Sequence, residues 1–186
     1  MRIGFALCGS FCTYAQVFPV IEILSRDYEL LPILSDNAAS IDCRFGSAAE
    51  HIAVLTELCG NAPIMTIADA EPIGPKKLLD ALVIAPCTGN TLAKLSHSIA
   101  DTPVTMAAKS HLRNGRPVIV AVSTNDGLAG AAENIGKLMG RKNYYFVPFG
   151  QDDSVNKPTS LVADFTRIPA ALECALEGKQ VQPVLL

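Results

Sequence analysis

Apolar residues in this chain fall into two alternating kinds of run. "RIGFALC" (2–8) is almost uninterrupted, as in a strand buried on both faces, whereas "TYAQVFPVIEILSRD" (13–27) spaces Val17, Val20, Ile21 and Leu24 along one helical face. Pro19 falls near the first turn of that helix or kinks it. A second strand is predicted at "YELLPILS" (28–35), and a helix closed by a glycine at "GSAAEHIAVLTELCG" (46–60). "APIMTI" (62–67) reads as a third strand, and "ADAEPIGPKK" as a loop before a short helix, because its prolines and glycine punctuate it. "DALVIAP" (80–86) is the fourth strand, with "TLAKLSHSIA" and "VTMAAKSHLRNG" (104–115) as helices behind it. "RPVIVAVS" (116–123), the helix "GLAGAAENIGKLMG" (127–140) and a sixth strand "NYYFVPFG" (143–150) follow. Beyond the polar loop "QDDSVNKPTS", Leu161 to Gly178 reads as a last helix, bent or interrupted at Pro169.

Strands without polar alternation, each followed by a helix, predict a parallel sheet covered on both sides. The expected fold is α/β: a three-layer α/β/α, doubly wound, mostly parallel sheet of the Rossmann-like, flavodoxin-like kind. One domain over residues 1–186 is expected, closed by a C-terminal helix over 159–178. A chain of 186 residues is long enough to bury roughly 70% of its unfolded surface. Its 49% apolar content and mean hydropathy of +0.30 exceed what a small surface-dominated protein needs, which points to doubly buried strands or an oligomer interface.

A net charge of −3 offers no basic stripe for a phosphate backbone, so nucleic acid is not expected as a partner. No apolar run approaches a membrane span, and Gly9 and Ser10 break the first run too early for a signal peptide. The six cysteines, at 8, 12, 43, 59, 87 and 174, have neither paired nor zinc-ligand spacing, and no metal site is expected. Most of them read as small buried hydrophobes in a reducing cytosol, with a reactive thiol as the alternative at Cys8, Cys12 or Cys87 beside the turns.

Ligands of such sheets bind beyond the carboxyl ends of the strands. Those ends read "CGSFCTY", "SDNAAS", "APCTGNT" and "VSTNDG", rich in residues that donate hydrogen bonds from short side chains and expose backbone amides. The first turn opens a helix, whose N-terminus favours an anion. It lacks the glycine spacing of a dinucleotide fingerprint and the lysine of a nucleoside triphosphate loop, so a mononucleotide phosphate fits better. A plainer reading exists for "APCTGNT", with Thr88 or Asn90 serving only to cap the next helix.

"APCTGNTLAKL" followed by "ADTPVTMAAKSHLRNGRPVIVAVS" resembles the flavoprotein family that includes phosphopantothenoylcysteine decarboxylases, lantibiotic cysteine decarboxylases and flavin prenyltransferases. The resemblance runs from the first strand to about residue 165. It implies FMN as cofactor, with Gly9, Ser10, Phe11 and Cys12 at the phosphate turn and Ser35 near the phosphate or ribityl. It further implies that Pro86, Cys87, Thr88, Asn90 and Thr91 hold the flavin, and that Ser123, Thr124 and Asn125 lie beside its ring.

Within the family, "CGSFCT", "VSTNDGL" and "FVPFGQDD" followed by "KP" resemble a component that works with a separate A subunit carrying a nicotinamide (NAD(P)) domain. That likeness implies an oxidoreductase of the lysine/diaminopimelate pathway in the cytoplasm of a sporulating mother cell. There it would help oxidise a dihydrodipicolinate-type precursor to pyridine-2,6-dicarboxylate. Family habit also implies a homo-oligomer, trimeric or higher. The alternatives are an independent FMN-dependent decarboxylase or prenyltransferase, and a non-catalytic partner that keeps the fold. Against a decarboxylase, the loop "ADAEPIGP" lacks the His that such enzymes place there as base, and "AVSTNDGL" replaces their Pro-x-Met-Asn segment. His51, His97 and His111 are not expected in the crevice, and catalytic residues stay unassigned. A small dicarboxylate substrate favours a positive neighbour, for which Arg44, Lys109 and Arg113 are candidates.

Overall fold

Runs that are apolar at every position become strands with no solvent-facing side. In the computed structural model, which describes residues 1–186, all seven residues of β3 (Ala81–Cys87) are buried, as are six of seven in β4 (Val118–Thr124). With β1 (Arg2–Leu7), β2 (Glu29–Leu34) and β5 (Tyr144–Phe146) they form a parallel sheet in the order β2-β1-β3-β4-β5. The order reverses between β1 and β3, which makes that boundary the switch point. One face is covered by α1 (Tyr14–Leu24), α3 (Ala48–Cys59) and the last helix, α8 (Ile168–Leu176). The other is covered by α4 (Ile67–Ala70), α5 (Gly89–Ser96), α6 (Pro103–Leu112) and α7 (Ala132–Met139). The doubly wound, mostly parallel sheet is thus the one the apolar runs predict.

Four local expectations change. The third predicted strand, "APIMTI", reduces to one bridge between Ile33 and Ile64, because Pro63 lacks an N–H and Thr66 already caps α4. The short helix expected after the following loop instead opens it, as α4. "NYYFVPFG" is not one strand: Pro148 separates β5 from β6 (Phe149–Gly150), and β6 joins the sheet by an antiparallel route. The last predicted helix begins late, since Leu161–Ala163 is a strand, β7, antiparallel to the end of β4, and Pro169 sits in the first turn of α8 rather than bending a longer helix. A Cβ on Gly127 would lie 2.7 Å from Leu161, so glycine there is what lets β7 close over the β4 turn.

Candidate functional site

The carboxyl ends of β1, β3 and β4 open into a cleft of about 1030 Å³, walled on one side by residues 43–45 and on the other by the 152–162 segment. The end of β1 is tied to that of β3 by Cys8 N–H donating to Pro86 O (3.3 Å). The chain then turns through Gly9 and Ser10 into a short 3-10 helix, Phe11–Thr13, that leads into α1. Ser10 N–H bonds to Cys8 O and Thr13 N–H to Ser10 O, leaving the amides of Gly9, Phe11 and Cys12 without an acceptor inside the turn. A Cβ on Gly9 would come within 3.2 Å of Asn37 Cβ in α2 (Asp36–Ser40), so the turn is seated tightly on its neighbour. Across the cleft, Ser10 Oγ and Ser123 Oγ share a hydrogen bond of 2.8 Å that draws the first turn to the end of β4.

The turn after β3 is held from beneath. Thr88 caps α5, its Oγ1 accepting from Thr91 N–H (3.5 Å) and donating to Thr91 Oγ1 (3.3 Å), which donates in turn to Cys8 Sγ (3.3 Å). The capping reading of Thr88 and the cleft reading are both true of the same residue, since Thr88 also lines the opening. Burial pushes the Cys8 thiol up to about 11 and the Cys87 thiol well above its usual value, so both are protonated structural thiols at neutral pH. Cys12 is exposed and faces the cleft. All six cysteines are free.

Nine of the thirteen residues named from sequence line the cleft: Gly9, Ser10, Phe11 and Cys12 from the first turn, Thr88 and Asn90 from the second, and Ser123, Thr124 and Asn125 from the third. Pro86, Cys87 and Thr91 lie behind it and support it. Ser35 caps α2, accepting from Ala38 N–H (3.3 Å), and does not reach the lining. No histidine lines the cleft: His51 packs among Phe11, Tyr14 and Phe18 below it, and His111 is fully buried elsewhere.

Sequence reasoning left out two carboxylates. Asp126 accepts a hydrogen bond from Thr124 Oγ1 and has no cationic partner, whereas Asp152 pairs with Lys157 (3.0 Å). Ser160 and Lys157 hold the Asp152 carboxyl below its usual range. Asp126 stood inside the quoted "VSTNDG" turn, where its charge was the visible signal; Asp152 lay in a loop with no strand to point it anywhere. Of the cations suggested for a dicarboxylate, Arg44 lines the cleft beside Phe45, with its guanidinium 4.8 Å from that ring's centre. Lys109 and Arg113 do not; they line a separate pocket, because α6 points its C-terminal turn away from the strand ends. Arg44 and Lys157 balance Asp126 and Asp152, so the lining has two charges of each sign. With unpaired turn amides, hydroxyls and carboxamides, this donor set fits a ligand with one anionic end and a neutral polar body.

A doubly wound sheet with a hydroxyl-lined cleft at its switch point defines the class, and residues 1–147 match the Flavoprotein family, to which this chain belongs. Among individual proteins, it is 47% identical over 186 residues, all of this chain and 93% of the other, to the B subunit of dipicolinate synthase from Bacillus subtilis (strain 168). The crystal structure of the B subunit of dipicolinate synthase from Bacillus halodurans is 44% identical and superposes with a TM-score of 0.91, covering 100% of this chain and 95% of that one. The FMN-dependent cysteine decarboxylase SpaF shares the fold at 24% identity and a TM-score of 0.70, with 95% of each chain covered.

Proposed function

We propose that this chain is a B-type component of dipicolinate synthase that holds FMN in the cleft. In that role it contributes to oxidation of a dihydrodipicolinate-type precursor to pyridine-2,6-dicarboxylate during sporulation. The observation that carries the reading is the end-to-end 47% identity to the Bacillus subtilis protein, in a family of flavoproteins, together with a cleft whose donor set suits a phosphorylated neutral ligand.

The amides of Gly9, Phe11 and Cys12, at the N-terminal side of α1, would take the phosphate, where helix polarity favours negative charge. Ser10, Thr88 and Ser123 would serve the polyol, and Asn90, Thr124 and Asn125 the ring. When bound, FMN supplies a two-electron acceptor, a capacity no side chain here possesses. The substrate's carboxylates find Arg44 on one wall and Lys157 on the other. Removing two hydrogens also requires a proton acceptor, and Asp126 is the cleft carboxylate not already neutralised by a cation. The partner is the A subunit of dipicolinate synthase, which would carry the NAD(P) domain, and the chain itself assembles as a homo-oligomer.

Two measurements test this reading. The purified chain titrated with FMN in a calorimeter should bind it stoichiometrically and turn yellow; a colourless preparation that takes up no FMN ends the flavin assignment. Precursor oxidation measured with the A subunit alone, with this chain alone and with the mixture should be fastest in the mixture. Equal rates with and without this chain would reduce it to a non-catalytic partner.

A further inference from the structure

A second pocket, of about 410 Å³, lies outside the cleft, where the C-terminal turns of α5 and α6 meet the segment that follows α7. Its lining includes four cations, Lys109, Arg113, Arg141 and Lys142, and no carboxylate. Such crowding is unexpected in a chain of net charge −3. Lys109 and Arg113 are also four apart at the end of α6, a like-charge spacing that destabilises a helix.

Helix polarity explains part of this charge and leaves the rest. Each helix C-terminus presents roughly half a negative charge. Arg141 accounts for α5, donating to Leu95 O (3.0 Å) and Ser96 O (2.6 Å). Against the ends of α6 and α7, together about one negative charge, stand Lys109, Arg113 and Lys142, a surplus of about two positive charges. None of the three takes part in an ion pair within the chain. The floor between them is apolar, from Leu95, Ile99 and Leu112, and Ile99 is 47% exposed.

We propose that this pocket is a second ligand site, for a small organic dianion with an apolar body. Two negative charges answer the surplus on Lys109, Arg113 and Lys142, and the apolar body covers Leu95, Ile99 and Leu112. The volume suits a ligand of that size. The site is independent of the flavin cleft and of what the cleft does.

Isophthalate, an aromatic dicarboxylate, is the probe, and benzoate is its single-charge control. Calorimetric titration of the full chain should show isophthalate binding at least tenfold more tightly than benzoate and weakening as NaCl rises, because the charges are exposed. The double variant Lys109→Gln/Arg113→Gln should weaken isophthalate at least tenfold while keeping the wild-type melting temperature. Lys157→Gln, which alters only what the proposed cleft itself takes, should retain the isophthalate binding event that the double variant loses. Loss of binding in Lys157→Gln but not in the double variant would place the dianion in the cleft and overturn the proposal. Absence of any isophthalate binding to the wild-type chain would do the same.

Discussion

The Asp126 carboxylate accepts a hydrogen bond from the Thr124 hydroxyl and from no other side chain, and in the proposed oxidation it is the proton acceptor. Replacing it by Asn keeps the shape and hydrogen-bonding reach but removes the base. The expected result for Asp126→Asn is a fall in kcat of about 10²-fold or more, the usual scale for a positioned general base, with the FMN titration unchanged. An undiminished kcat would assign the proton to water. Deeper in the fold, burial depresses the His111 imidazole to about 4, although its Nε2 bonds to Pro117 O (3.1 Å); Nδ1 has no partner. The folded value lies below the ordinary 6.5, so the unfolded chain binds the proton first as pH falls. This residue therefore lends full stability above pH 6.5 and loses it between 6.5 and about 4, on the order of 3 kcal/mol in all. Urea midpoints across that range should fall less steeply for His111→Gln than for the wild-type chain.

Helix caps separate what an element needs from what the cleft needs. Thr88 caps α5 and also lines the cleft, whereas Thr102 caps α6 through a reciprocal pair with Thr105 and lies away from it. Both Thr88→Ala and Thr102→Ala should lower unfolding free energy by about 1 kcal/mol. Only Thr88→Ala should also weaken FMN, measured by calorimetry beside the urea curves; equal FMN affinity in both would make Thr88 a cap and nothing more. The same elements mark how far the sequence could be read. Strands β1 to β4 were legible because each is apolar at nearly every position, a pattern no surface element imitates. The turns after β1, β3 and β4 were legible for a related reason: once the strands are placed, their carboxyl ends are adjacent by topology. β7 was not legible, because "LVA" is only three residues long and precedes a helical pattern, and its pairing to Ser123 and Thr124 is purely long-range. The separation of Lys109 and Arg113 from the cleft was hidden likewise, since it depends on the direction in which α6 crosses the sheet.

At the scale of the whole molecule, apolar exposure is uneven. Ile41, Phe45, Met65 and Ile67 are each between 39% and 46% exposed, and all come from the segment between β2 and β3. Along the β2 edge, Ile64 makes a single bridge to Ile33 and Asn61 Nδ2 donates to Leu30 O (2.8 Å), and exposed apolar side chains beside such an edge suit a protein–protein face. A stable face buries on the order of 800 Å² per partner, more than four side chains supply, so the loop carrying Ile41 and Phe45 has to be included with its surroundings. Arg44 and Phe45 of that loop also wall the cleft, so the proposed self-association would share residues with ligand binding. Light scattering of the wild-type chain at micromolar concentration should therefore give an oligomer, and Met65→Asp combined with Ile67→Asp should give a monomer with an unchanged circular dichroism spectrum. Because neither substituted residue lines the cleft, any loss of FMN affinity in that monomer reports the missing neighbour rather than a damaged wall, and a loss of at least tenfold is expected. A wild-type chain that scatters as a monomer would detach the apolar edge from assembly and leave the 43–45 loop to close the cleft unaided.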